Sequence, residues 1–243
     1  KNKFLGNKLE ILQFSEGYRG NMDSVLLAAS VGAESGQKVL ELGCGNGVAL
    51  CCLLYRVSGL EVFGVEMDKR AADLCKRNID LNMFKASIFN INIANTIREL
   101  KSVSFDHVFM NPPYFKKNSV KKSHTLSSHQ AKVESMPLSA WFSVAKNRCK
   151  PNGKITIIQR VERLPDIINC LNGYFGQVIV QPISSFKDTS PKTVIVQATK
   201  TSGAAFKLLA PKIVHRRDGI SGKVVYEDEF KKILRYGHPL QLN

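Results

Sequence analysis

Val39-Leu40-Glu41-Leu42-Gly43-Cys44-Gly45-Asn46-Gly47 is the stretch that decides the fold. Its first half is short, mostly apolar and bounded by glycine, the pattern of a strand buried on both faces. Alternating glycines then make a turn, and an apolar segment from Val48 to about Val57 has the composition of a helix. In that order, strand, turn and helix leave room at the strand's carboxyl end, where backbone N–H groups and the helix start can approach a small ligand. A pyrophosphate-binding G-x-G-x-x-G is not met, because the third glycine comes one residue early.

Working outward, Glu61 to Glu66 reads as a second strand, and Lys69 to Leu81 as a helix with Ala72, Cys75 and Ile79 on one face. Ala86 to Asn90 and Phe105 to Met110 are the third and fourth strands. Upstream, Met22 to Ala33 reads as a helix with Asp23 as its N-cap and Gly36 beyond its end. Downstream, Phe115 to Met136 is polar and aperiodic and reads as a loop. A helix starts at Pro137 and runs to about Cys149, Gly153 to Gln159 is a fifth strand, and Ile167 to Leu171 lies in another helix. Val178 to Ile183 and Thr193 to Thr199 form a closing pair. Strands alternating with helices argue for one α/β domain with a doubly wound, mostly parallel sheet, and the closing pair suggests an antiparallel edge. The divisions expected are residues 1–37 as a leading segment, 38–200 as the sheet domain and 201–243 as a basic extension packed on it.

Lysine and arginine number 35 against 20 aspartate and glutamate, a formal charge of +15 with a pI near 9.6. Such an excess favours polyanions through counterion release and long-range steering, so nucleic acid is the first partner to consider. No apolar run is long enough to span a bilayer, and the start of the chain lacks the apolar core of a secretory signal. Six cysteines without zinc or redox spacing are expected to be reduced, in a cytoplasmic protein. The five histidines are scattered, so no metal site is expected.

Asn111-Pro112-Pro113-Tyr114 is the sharpest chemical feature. It ends the fourth strand, beside the glycine turn in a doubly wound sheet, where ligand crevices form. The paired prolines stiffen the backbone so that the Asn111 side-chain carbonyl and the Pro112 main-chain carbonyl can both accept from one amino group. An adenine amino nitrogen is a poor nucleophile because its lone pair is delocalised into the ring. Two acceptors that favour a tetrahedral nitrogen would localise that pair and aim it at a sulfonium methyl. Tyr114 is expected to stack on the extruded base. Glu66, about twenty residues past the glycine turn, can accept both ribose hydroxyls of a nucleoside. Met67 is placed to lie on its adenine, and Asn92 to bond the adenine edge.

The chain resembles class I S-adenosylmethionine-dependent methyltransferases, and over nearly its whole length the bacterial family that methylates the adenosine next to the anticodon of a valine tRNA. The resemblance rests on Gly17-Tyr18-Arg19 through Asp23-Ser24-Val25-Leu26-Leu27-Ala28, the glycine stretch, Asn111 to Phe115, and Trp141 ahead of Lys150-Pro151-Asn152-Gly153-Lys154. It implies a Rossmann-like seven-stranded sheet with an antiparallel edge strand. It also implies S-adenosyl-L-methionine held by Glu41, Gly43, Cys44, Gly45, Gly47, Glu66, Met67 and Asn92, with Tyr18 and Arg19 folding over it. Asn92 stands where that family has Asp, which implies lower cofactor affinity. RNA is expected on Lys116, Lys117, Lys121 and Lys122 of the loop and on Lys212, Arg216 and Arg217 of the tail, methylated at N6 of an adenine.

Asn-Pro-Pro-Tyr occurs also in DNA adenine, ribosomal RNA and protein glutamine methyltransferases. A glutamine methyltransferase acting on release factors would present an amide to the same acceptors, but such proteins carry a helical domain ahead of the glycine motif, and 38 residues precede Val39 here. A DNA enzyme would need a larger recognition insert than Phe115 to Met136. A catalytically silent RNA-binding module would not need Asn111 and Tyr114 intact.

Overall fold

The computed structural model describes residues 1–15, 19–113, 136–219 and 221–242, leaving aside the side chains of Thr96 and Ile97. A short hairpin, β1 (Asn2–Phe4) and β2 (Leu9–Ile11), precedes helix α1 (Met22–Ser30). Strands and helices then alternate as β3 (Lys38–Leu42), α2 (Val48–Arg56), β4 (Glu61–Glu66), α3 (Lys69–Leu81), β5 (Ser87–Asn90), α4 (Ile93–Glu99) and β6 (Phe105–Met110). Next come α5 (Leu138–Arg148), β7 (Cys149–Arg160), α6 (Leu164–Leu171), β8 (Phe175–Ser184) and β9 (Thr193–Lys200). The last part holds the two-residue strands β10 (Lys207–Leu208) and β11 (Lys212–Ile213), the hairpin β12 (His215–Arg217) and β13 (Val224–Tyr226), and helix α7 (Asp228–Tyr236).

The main sheet runs β10-β8-β9-β7-β6-β3-β4-β5, with β11 also on β8, nine strands in all. From β7 to β5 every pairing is parallel. The seven long strands expected are present, and β10 and β11 add to them. Against expectation, the antiparallel strand is not at the edge, since β9 inserts between β7 and β8 and runs antiparallel to both. Val194, Ile195 and Val196 are buried in succession, and an apolar run without alternation needs cover on both faces, which an inner position supplies.

Side chains alternate across this sheet into two apolar layers. Val39, Val62, Phe109, Ile158 and Ile195 join α1, α2, α3 and α7 on one face, through residues such as Leu26, Leu50, Ile79 and Phe230. Leu40, Leu42, Val65, Val108, Met110 and Ile157 join α4, α5 and α6 on the other, with Ile93, Trp141 and Ile167. Helix α1 is capped by Asn21, whose side chain accepts from Asp23 N at 2.9 Å, so Asp23 sits in the first turn and is not the cap expected. The helix stops at Ser30 because Val31 is already extended, well before Gly36.

Neither the opening hairpin nor α7 is among the elements expected from the sequence. Leu5, Leu9 and Ile11 are fully buried, and the α7 residues Phe230 and Ile233 sink into the same layer as α1. Leu240 N, just past α7, donates to Ala29 O at 2.9 Å. The chain after β2 is tied down by amides: Leu12 N donates to Asn78 Oδ1 (2.8 Å), and Asn78 Nδ2 donates to Leu12 O (3.0 Å) and Asn46 O (2.8 Å). One buried side chain on α3 therefore joins the leading segment to the glycine turn.

Candidate active site

Because β3, β4, β5 and β6 are parallel, their carboxyl ends share one edge of the sheet, where crevices form. Leu42 pairs with Met110, so the glycine turn and the Asn111 turn leave neighbouring strands at the same level, roughly 5 Å apart across the ladder. Glu66 pairs with Asn90 one and two strands away. This register brings together Gly43, Gly45, Gly47, Glu66, Met67, Asn92, Asn111, Pro112 and Pro113. Tyr18, Tyr114, Lys116, Lys117, Lys121 and Lys122 lie outside the described residues.

Gly43, Gly45 and Gly47 all have left-handed backbone, with φ of 68°, 54° and 80°. At Gly43 a Cβ would also come within 2.7 Å of the Trp141 ring, so α5 packs directly under the turn. Four of the turn's backbone donors are met inside the protein. Gly43 N and Cys44 N donate to Val65 O (2.8 and 3.0 Å), Gly47 N to Cys44 O (2.8 Å), and Gly45 N to Glu66 Oε2 (2.9 Å). A phosphate would need free N–H groups; here the missing side chains of Gly43 and Gly47 let Trp141 and Cys75 pack against the turn, which fixes its shape. Cys44 likewise offers no side chain to the crevice, its Sγ lying 4.0 Å from Cys75 Sγ in the core.

Glu66 is held at both oxygens, Oε2 by Gly45 N and Oε1 by Asp68 N at 2.8 Å. Burial pushes its pKa up, and these backbone N–H groups pull it back. Each oxygen keeps a lone pair, so an oriented carboxylate can accept two vicinal hydroxyls. Asn92 Nδ2 donates to Met67 Sδ at 3.2 Å, while its Oδ1 caps α4 through Ala94 N at 2.9 Å. Capping explains why an amide stands well there, since Asn and Asp serve equally as N-caps. Arg19 is exposed and donates to Asn2 Oδ1 at 3.0 Å, and the next residue, Gly20, presses on Val48 at the start of α2.

Glu41 is buried beneath the turn. Burial, then the neighbouring Cys75 and Glu66, push its pKa well above the usual carboxylate range, while the Leu50 backbone N–H pulls it down. Its Oε2 has no hydrogen-bond partner among the described residues, and the same holds for Asn111 Oδ1. A buried acceptor without a partner costs about 1–3 kcal/mol, so Asn111 is poised for a donor from outside. The Pro112 carbonyl is in a different state, because Gln159 Nε2 donates to it at 2.9 Å. Gln159 is fully buried, and its Oε1 is fixed in turn by Arg160 N at 2.9 Å, so it braces the turn from the end of β7. One lone pair of the Pro112 carbonyl remains. Sequence reading missed Gln159; its only signal was a polar residue ending an otherwise apolar strand.

Of the tail residues expected to meet RNA, Lys212 is paired with Glu229 at 2.6 Å and Arg216 approaches Glu227 at 3.6 Å, while Arg217 is exposed. β11 pairs with Ile183 and Ser184 at the carboxyl end of β8, which is parallel to β7, so Lys212 lies towards the same sheet edge as the two turns. Among the described residues no group of acidic, histidine or cysteine side chains could hold a metal ion, and no helix is long and apolar enough to cross a membrane.

Residues 14–184 match the family described as Methyltransferase small domain. A protein of Methanocaldococcus jannaschii with a provisional methyltransferase name is 33% identical over 96 residues, 39% of this chain and 37% of that one. A tRNA1(Val) (adenine(37)-N6)-methyltransferase of Porphyromonas gingivalis is 27% identical over 174 residues, 68% of this chain and 67% of that one. Among solved structures, one from Agrobacterium tumefaciens described as a predicted O-methyltransferase superposes with a TM-score of 0.72 at 20% identity, covering 90% of this chain and 98% of that chain. The matched stretches thus span 37% and 67% of the two sequence relatives. The chain belongs to the methyltransferase small domain family and has the Rossmann-like fold of class I methyltransferases. Its methyl donor is S-adenosyl-L-methionine. The residues present fit that group: an anchored Glu66 carboxylate beside the glycine turn, and Asn111 Oδ1 buried one strand away without a partner among the described residues.

Proposed function

We propose that the chain is an S-adenosylmethionine-dependent methyltransferase acting on N6 of an adenine in RNA, namely the adenosine at position 37, next to the anticodon, of a valine tRNA. The observation that carries this reading is Asn111 Oδ1, a buried acceptor without a partner among the described residues, one strand from the glycine turn. The relatives' names and the charge of +15 support an RNA acceptor.

S-adenosylmethionine supplies an electrophilic methyl on a sulfonium. Glu66 receives the ribose hydroxyls, and Met67 and Asn92 border the adenine. Asn111 Oδ1 and the remaining lone pair of the Pro112 carbonyl accept the two amino hydrogens of the substrate base, Pro113 stiffens the turn, and Tyr114 stacks on the base. Held so, the amino nitrogen would face the methyl that the bound donor supplies, and on methylation it would release one proton to solvent. Residues 1–37 cover the donor, 38–200 carry the chemistry and 201–243 extend the RNA-facing edge. Lys116, Lys117, Lys121, Lys122 and Arg217 contact phosphates, in a cytoplasmic enzyme.

The test is transfer of labelled methyl to tRNA, ribosomal RNA, DNA and release factor in parallel, followed by mass analysis of nucleosides and amino acids. N6-methyladenosine in tRNA is the expected product. Label appearing only as N5-methylglutamine would overturn the RNA reading and leave the two-acceptor chemistry standing.

A further inference from the structure

We infer that Phe186, His215 and Tyr226 form a stacking platform for a second unpaired base of the same substrate loop; this rests on the RNA reading above. His215 and Tyr226 face each other across the β12–β13 hairpin, with ring centroids 5.0 Å apart and planes 26° from parallel. Phe186, in the turn between β8 and β9, continues the column at 5.5 Å and 35°. The inner end is anchored, because Tyr226 packs against the apolar layer that holds α1 and α7. At the other end Phe186 is half-buried and belongs to neither apolar layer.

The backbone that carries the column is tied by hydrogen bonds. Phe186 N donates to Thr189 Oγ1 at 3.2 Å, Thr189 Oγ1 donates back to Phe186 O at 2.7 Å, and His215 N donates to Ser185 O at 2.9 Å. Preorganised rings lose little entropy on binding, which suits a base rather than a flexible chain. Lys187, Lys192, Arg217 and Lys223 are exposed near it, against Asp188 in the same turn and Asp218 and Asp228 at the hairpin, while Glu227 is approached by Arg216 at 3.6 Å, so cations outnumber acids at the rim.

Position makes the platform relevant to the site. The turn leaves the carboxyl end of β8, on the same sheet edge as Asn111 and three strand spacings away in the order β8-β9-β7-β6. That is roughly 14 Å at about 4.8 Å per spacing. A strand with about 3.4 Å per stacked nucleotide covers it in about four nucleotides. A hairpin loop can therefore present one base to Asn111 and another, about four nucleotides away, to Phe186, whereas a regular duplex keeps its bases inside.

The test compares wild type, Phe186→Ala, Phe186→Trp and the double variant Phe186→Ala/His215→Ala for affinity to an anticodon stem-loop and to a blunt duplex of matched charge. Fluorescence anisotropy at several salt concentrations reads binding without requiring turnover. Phe186→Ala is expected to weaken stem-loop binding by about 5–100-fold, the worth of one stacked base. Duplex binding, the salt slope and S-adenosylmethionine affinity stay unchanged, and Phe186→Trp restores stem-loop binding. Wild-type affinity in the two alanine-bearing variants would overturn the platform and leave the RNA reading intact. A wild-type protein that binds neither RNA would overturn both.

Discussion

The two turns at the head of the crevice start level with each other on adjacent strands, and apart from Glu41 Oε2 beneath the first, which has no partner among the described residues, their polar groups are in different states. In the glycine turn every described backbone donor from Gly43 to Gly45, and Gly47, is matched inside the protein, and Glu66 is clamped at both oxygens. In the Asn111 turn one acceptor is matched, the Pro112 carbonyl through Gln159, and the other, Asn111 Oδ1, is left over among the described residues. A cradle that binds by shape can satisfy its own backbone and remain useful. An acceptor that must hold an amine can act only if the protein leaves it a place, and the cost of an unmatched buried oxygen marks where that is.

Substituting Asn111 breaks the comparison hardest. Asn111→Ala should lower kcat by on the order of 10²–10³, the loss typical of one preorganised polar contact in a transition state, while S-adenosylmethionine affinity by calorimetry stays within about twofold. Near-normal turnover would remove Asn111 from the chemistry. Glu66→Ala should do the reverse: the donor's Kd rises by about 10–100-fold, as expected for lost hydrogen bonds to a charged group, with kcat at saturating donor little changed. A variant that binds the donor normally but turns over slowly would dissolve the division of labour. Gln159→Leu sharpens the contrast at finer scale. It leaves Asn111 in place but unbraces Pro112, and should cost roughly 5–10-fold in kcat without altering donor Kd. Equal losses in kcat and donor affinity would mean a general disturbance of β7.

Acid should affect the two sides in opposite senses. His107, on the strand that leads to Asn111, bonds Thr156 Oγ1 at 2.7 Å, and burial, followed by Lys154 and Arg56, holds its pKa down at about 3. An unfolded chain takes up that proton below about 6.5 and the folded one does not, so stability present above 6.5 is lost as pH falls towards 3. Glu41 and Glu66, with raised values, contribute the opposite slope, since the folded state keeps their protons to higher pH. His107→Asn should flatten the acid loss seen in chemical denaturation by roughly 1 kcal/mol per pH unit between those limits. An unchanged slope would place the acid-sensitive group elsewhere.

Much of this arrangement was legible in the chain. Strands β4 and β6 and helix α3 fall where periodicity puts them, because each is a local pattern, an apolar run or one apolar helix face, bounded by turn residues. The hairpin of β1 and β2 was not, because Leu5 and Ile11 are too sparse to show a period and are buried only by meeting distant partners. Helix α7 did carry a signal, Phe230, Ile233 and Leu234 at helical spacing, but its place beside α1 is set by tertiary packing alone. Asn92 and Cys44 were placed on the crevice by position in sequence, and the fold gives Asn92 a capping role beside Met67 and turns Cys44 inward.

By itself the sequence determined the alternation of strands and helices, the left-handed turn that only glycine adopts easily, and the chemistry available in Asn111 and Glu66, since all of these are properties of neighbours along the chain. Tertiary structure decided where β9 inserts, that Gln159 occupies one lone pair of Pro112, and that Glu66 rather than a ligand takes the Gly45 N–H. Those outcomes depend on which buried polar group finds which partner across the sheet, and that pairing is settled only when the whole core closes.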